Sequence, residues 1–257
     1  MKIDKAIVSS DDNRFYLDFW EPVSRVWKEK FNITPVLLYV SDSDFEPSTK
    51  YGEVVRYRPQ KGCPIYLQTL WVRYYHPIRE PDTVWAISDI DMFPVSREYF
   101  VDRIKNIEDD KYVHLDPSIE EYKKFPSCYH IAKGRTFEEI LDLPDEWDQS
   151  LWLVDSSNLG SDPGAHLVGK KDWFADERFA TNKIVQKMNL GDKRIVLIQR
   201  EGGRCGHRLD RINFFYDATR EAALKSGYYY DFHSPRPYLE NKSVVDRVVK
   251  DIMELRC

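Results

Sequence analysis

Residues 83–100 read TVWAISDIDMFPVSREYF, and the fold turns on a change of character inside this stretch. Val84, Trp85, Ala86 and Ile87 form an uncharged run. Such a run predicts a strand buried on both faces, and strands of that kind lie in the middle of sheets flanked by helices. Asp89 and Asp91 then stand at its carboxyl end, where open α/β sheets gather their ligands in a crevice lined by loops. Two carboxylates one residue apart, followed by Met92, Phe93 and the turn-making Pro94, can hold a divalent cation whose other ligands are phosphate oxygens. A second pair of the same form, Asp42 and Asp44, reads as a solvated turn. Asp89 and Asp91 differ because a buried strand delivers them, and because their mutual repulsion calls for a cation or a base nearby.

The rest of the chain sets limits. Its 257 residues fit one α/β domain with ample material for a core. Hydrophobic residues at 42% and aromatics at 14% argue against disorder. A net charge of -5 gives no electrostatic reason to bind nucleic acid, which demands a basic face. The four cysteines, Cys63, Cys128, Cys205 and Cys257, are widely spaced and form no CxxC pair, so neither a zinc site nor a disulfide framework is expected. The opening MKIDKAIVSS has too short an apolar run for a signal peptide, and nowhere do 18 apolar residues run together. These features predict a cytoplasmic protein with no membrane span, though peripheral membrane contact is compatible with them. The chain would also suit one domain of a longer enzyme.

Periodicity predicts a strand over 5–9, a helix over 15–31 and a strand over 34–40, so the chain opens as a β-α-β unit. A short strand over 53–57 and a helix over 65–76 follow, the latter carrying Gln68 and Arg73. Arg73 is placed to reach the carboxyl ends of the strands, where it would pair with Asp89 or with a phosphate. After the acidic pair come a helix over 96–107, a strand over 111–115, and a helix capped by Thr136 with Glu139 in capping-box register. In KKDWFADERFATNKIVQKM, Ala180, Ile184 and Met188 fall at i, i+4 and i+8 of a helix that Asp176 or Glu177 begins; an acid there suits the helix dipole. A strand over 195–198 leads to EGGRCGHRLDRINFFYD, where glycines beside Arg204, His207, Arg208, Asp210 and Arg211 suit a loop that folds over an anion. The loop is no phosphate-binding GxxxxGK[ST]. YYYDFHSPRPY places His233 late in the chain, before a closing helix over 242–255.

The segment SDIDMFPV resembles the DxD segment of metal-dependent glycosyltransferases of the GT-A fold. The Gln68 and Arg73 helix ahead of it is similar to one in small viral and bacterial glycosyltransferases, among them the first domain of a chlorella-virus enzyme. The resemblance implies a single GT-A domain over 1–257, with a Rossmann-like mixed central sheet flanked by helices. Its nucleotide-binding half would span about 1–95 and its acceptor-binding half about 96–257. It implies transfer of a sugar from a nucleotide-diphosphate donor, a UDP-sugar first among them, to a carbohydrate or glycolipid acceptor in surface polysaccharide or glycan synthesis, with inversion. Manganese or magnesium would be held by Asp89, Asp91 and His233. Ser9, Ser10, Asp42, Gln68, Arg73, Asp89 and Arg236 would meet the nucleotide sugar. His130, Arg208 and Asp210 would meet the acceptor, and Asp176, ahead of Glu177, would be the general base. Trp147, Trp152 and Trp173 could stack on sugar faces or pack in the core.

Two other classes stay open. A phosphatase or phosphotransferase could use an Asp-x-Asp pair as nucleophile and acid, but such enzymes place Thr or Val where Phe93 stands and carry the pair on an early strand. A non-catalytic sugar-binding domain of the same fold is the other.

Overall fold

The computed structural model describes residues 1–115, 124–154, 173–202, 206–212 and 214–255. Arg204, Cys205 and Cys257 lie outside the described residues.

The central strand forms as its composition requires. Val84–Ile87 (β4) is buried on both faces. It lies in a seven-stranded sheet of order β3-β2-β1-β4-β7-β6-β8, formed with Lys5–Ser10 (β1), Thr34–Val40 (β2), Glu53–Tyr57 (β3), Tyr112–Leu115 (β6), His130–Lys133 (β7) and Ile195–Ile198 (β8). β1, β2, β3 and β4 run parallel, as do β6 and β8, whereas β7 is antiparallel to both its neighbours. Met92–Pro94 (β5), Arg208–Leu209 (β9) and Asp231–His233 (β10) make a second sheet of order β5-β10-β9. This is the Rossmann-like mixed sheet flanked by helices that the sequence led us to expect.

Alternation along the strands sorts their side chains into two cores. Ala6, Val8, Leu37, Tyr39, Val84 and Ala86 face one cluster, covered by the helices Trp20–Arg25 (α2) and Tyr238–Glu254 (α8). Ile7, Val36, Leu38, Trp85 and Ile87 face the other, covered by Ile65–Tyr75 (α3), Gly134–Leu141 (α4), Trp147–Trp152 (α5) and Ala175–Asn189 (α6). The remaining helices are the short Arg14–Leu17 (α1) and Ala218–Lys225 (α7). Among the described residues no helix is long and apolar enough to cross a membrane.

Several elements differ from the sequence reading. The helix expected over 15–31 is broken into α1, α2 and a π-turn at Val26–Lys30. Pro22 explains one break, because it lacks the N–H an interior position needs and is tolerated only in the first turn, where α2 places it. Residues 96–107 give only a π-turn, Glu98–Asp102, whose Tyr99 and Phe100 are wholly buried. Thr136 caps nothing: α4 starts two residues earlier, and the Thr136 hydroxyl donates to the Asp110 carbonyl at 3.4 Å. Gly134 can open α4 because a Cβ there would lie 2.1 Å from the Pro77 carbonyl oxygen. The final helix begins at Tyr238, ahead of the expected 242. Met188 leaves the apolar stripe of α6 and is exposed, while Ala180 and Ile184 are buried.

Phe100 meets Trp27, Phe31, Tyr99 and Tyr129 edge-on at centroid distances of 4.7–6.0 Å. Phe100→Ala is expected to lower unfolding free energy by about 3–5 kcal/mol. Leu190, 76% exposed, should tolerate the same change within about 0.5 kcal/mol. Urea unfolding of the two variants checks both values.

Candidate active site

From β1 the strand order runs outward through β2 and β3, then resumes on the other side of β1 with β4. A crevice opens at the carboxyl ends of strands flanking such a reversal. Here it is a cavity of about 190 Å³. Ser9, Ser10 and Asp11 reach it from the end of β1, Asp89 and Asp91 from the end of β4, and Arg73 from α3. Asp176 and Glu177 come from the first turn of α6, and Arg211, His233 and Arg236 from the late segments. Because β7 is antiparallel, its amino-terminal approach lies on this same edge and brings Ser127 to the cavity. Tyr16, Tyr66, Trp173 and Phe174 add aromatic rings to the lining.

Arg73 is buried and sits between two acids. Its Nη1 donates to Asp89 Oδ1 and, at 3.3 Å, to the Ser88 carbonyl; its Nη2 lies 3.3 Å from Asp176 Oδ2. The base that the acidic pair required is therefore Arg73. Asp176 also accepts from the Ser127 hydroxyl at 3.0 Å, and Glu177 accepts from the Ser127 amide at 3.3 Å and pairs with Lys124 at 2.9 Å. Burial pushes both carboxyls above the ordinary range, against the pull of Arg73 on Asp176 and of Lys124 on Glu177.

Asp91 has the opposite surroundings. Its Oδ2 lies 3.0 Å from Arg211 Nη1, 3.0 Å from Arg236 Nε and 3.4 Å from His233 Nε2. Burial alone would raise its pKa, but His233 and Arg236 outweigh burial and hold it below the usual range. Burial would likewise lower His233, yet Asp91 and Asp210 on its two sides push it up to about 9.

Of the residues singled out from the sequence, the structure brings Ser9, Ser10, Arg73, Asp89, Asp91, Trp173, Asp176, Glu177, Arg211, His233 and Arg236 to one cavity. The others lie elsewhere. Gln68 is wholly buried, and its amide is spent on the Gln60 backbone and the Cys63 carbonyl, all at 2.8 Å, so it holds a loop rather than a nucleotide. Asp42 is exposed outside the cavity, while the residues on either side of it, Ser41 and Ser43, donate their hydroxyls at 2.7 Å to Asp12, which also accepts from Tyr39. His130 is a core histidine, wholly buried, with Nδ1 2.9 Å from the Tyr112 hydroxyl and Nε2 2.9 Å from the Pro126 carbonyl. Arg208 is not an acceptor contact, since its guanidinium makes a two-point pair with the buried Asp231. Asp210 lies behind His233, 3.4 Å from its Nδ1, and does not line the cavity. Of the tryptophans, Trp147 packs against Tyr57 and Tyr75, Trp152 is exposed, and only Trp173 reaches the cavity.

Sequence reasoning missed Ser127, Lys124 and Tyr16. Ser127 and Lys124 precede β7, whose antiparallel direction brings them to this edge and is not encoded in its own sequence. Tyr16, whose ring lies 5.0 Å from the Arg236 guanidinium, sits on a helix that ought to have been continuous.

No family model matches the chain, and no curated protein matches it. Among solved structures it is similar to one described as a WbbM bifunctional glycosyltransferase in the apo state, with a TM-score of 0.46 and 9% identity. The match covers 92% of this chain and 47% of that one, so the chain spans about half the length of the structure it matches. A likeness this distant assigns no residue a role.

Arg73→Met would leave Asp176 buried without its guanidinium, and a loss of about 3–5 kcal/mol at pH 7 is expected. The folded variant would hold the Asp176 proton to higher pH than the unfolded chain does. Its stability should therefore fall as pH rises from the ordinary carboxylate range through the raised pKa. Urea midpoints across that range measure the slope, which Asp176→Asn in the same background should reduce to what Glu177 alone contributes. Midpoints equal to the parent's at every pH would show that the bridge contributes nothing.

Proposed function

We propose that the chain is a glycosyltransferase that moves a sugar from a nucleotide-diphosphate donor, a UDP-sugar first among the candidates, to a carbohydrate or glycolipid acceptor. The observation that carries this reading is the convergence in one switch-point cavity of strand-end acids, three arginines and a buried acidic pair opening a helix. Arg73, Arg211 and Arg236 bring to that cavity the side chain whose planar fork matches phosphate oxygens. Ser9, Ser10 and Tyr16, at the end of β1 and beyond it, are the candidates to meet the nucleoside.

A divalent cation fits the donor set in a particular way. Asp91 and His233 offer one carboxylate oxygen and one imidazole nitrogen 3.4 Å apart. Among the described residues no three acidic, imidazole or thiolate groups converge on one point. Hard cations such as magnesium are commonly held by one or two carboxylates with substrate phosphates completing the shell, so this pair suits a cation that arrives with a diphosphate. Asp91 and His233 would hold it, with Asp89 alongside, and it would supply Lewis-acid neutralisation of the leaving group. The protein's own contribution to the other half of the reaction is the acidic pair on α6. A carboxyl raised by burial is better matched to taking a proton near neutral pH, and Asp176 is assigned that role toward the acceptor hydroxyl. Direct displacement assisted by such a base inverts the anomeric centre.

Asp91→Asn is expected to abolish manganese-dependent UDP binding, read by calorimetry, while leaving the circular dichroism unchanged. Binding as tight as the parent's in manganese would remove Asp91 from the metal site. Asp176→Asn should cut turnover by roughly 10²–10⁴-fold with little change in UDP affinity. If Glu177→Gln carries that loss instead, the base lies one residue further on. NMR of the product should show inversion, and retention would overturn the role given to Asp176.

A further inference from the structure

β9 and β10 run parallel, with Arg208 opposite Asp231 and Leu209 opposite Phe232. The same register continued along the strands sets Asp210 beside His233, and Asp210 Oδ2 lies 3.4 Å from His233 Nδ1. His233 Nε2 lies 3.4 Å from Asp91 Oδ2. The ring thus has an acid on each nitrogen, but only Asp91 lines the cavity. The alignment is locked two residues earlier. Asp231 is wholly buried and makes two-point pairs with both Arg200, at 3.0 and 2.6 Å, and Arg208, at 2.9 and 2.9 Å. A pair of this kind, desolvated and bidentate, resists sliding of one strand along the other because every alternative register strands a buried charge.

We propose that Asp210 is a positioning residue: by accepting the Nδ1–H of His233 it orients the imidazole so that Nε2 is the nitrogen presented to Asp91 and to a cation in the cavity. The proposal rests on the metal site proposed above. A carboxylate on the far nitrogen is a general way of fixing both the tautomer and the plane of a ligating imidazole, and its removal typically weakens metal binding 10–100-fold. It gives Asp210 a task that its place behind the ring allows and that direct contact with an acceptor would not.

The test is the affinity of the intact chain for Mn(II) at saturating UDP, followed by the paramagnetic resonance of free Mn(II), beside UDP affinity without metal and the melting temperature. Asp210→Ala should weaken Mn(II) binding about 10–100-fold with metal-free UDP affinity and melting temperature near the parent's. Asp210→Asn, which keeps an acceptor oxygen, should lose less. Asp210→Ala combined with His233→Ala should be no weaker than His233→Ala alone, because the acid acts through the ring. Mn(II) affinity equal to the parent's in Asp210→Ala, or losses that add in the double variant, would overturn the proposal. Asp91→Asn separates the two levels: if it too keeps the parent's Mn(II) affinity, the metal reading itself has failed, whereas its loss beside an unaffected Asp210→Ala refutes only the role of Asp210.

Discussion

One buried guanidinium makes the crevice compatible with the core. Asp89 leaves the central strand at its carboxyl end, Asp176 enters from the first turn of α6, and Arg73 lies between them with a further bond to the Ser88 carbonyl. An unpaired charge at such depth would be prohibitive, and two acids without a base would force protonation of one of them. Arg73 can occupy the position because α3 is anchored on the sheet by Leu67, Trp71 and Val72. The helix thus fixes the spacing between the end of β4 and the start of α6, which come from distant parts of the chain.

The two strand-end acids have surroundings of opposite sign. Around Arg73 the acids are in excess, with Asp89, Asp176 and Glu177 answered by Arg73 and Lys124. Around Asp91 the cationic groups are in excess, with Arg211, Arg236 and His233 on one carboxylate. The second region is electrostatically the better suited of the two to an anion. The chain is acidic as a whole, so the charge around Asp91 is a local inversion of its overall sign.

The central sheet was legible because its strands state their own burial. β2, β3, β4 and β8 fall on the residues their composition marks, and the Arg73 to Asp89 pair follows from repulsion between two acids. What escaped depends on residues far apart in sequence. Arg208 looks like a loop arginine until Asp231, 23 residues on, is seen to bury it. His130 resembles a sugar contact until Tyr74, Tyr112 and Pro126 surround it. Asp210 reads as a loop acid that would meet the acceptor, and only strand register places it behind His233. No local periodicity encodes such pairings, and the direction of β7, which brings Ser127 to the site, is equally silent in the sequence.

The covering of the sheet has a consequence for the chain as it is synthesised. Strands β1 to β4 are complete by residue 87, yet one of their faces is covered by Val245, Val248 and Ile252 of α8, made after every strand beneath them. A growing chain can assemble the parallel half of the sheet early with Trp20, Val23 and Trp27 on this face, but the cluster there stays incomplete until α8 is made. Closure of that face therefore waits for α8, which follows all the strands of both sheets in sequence.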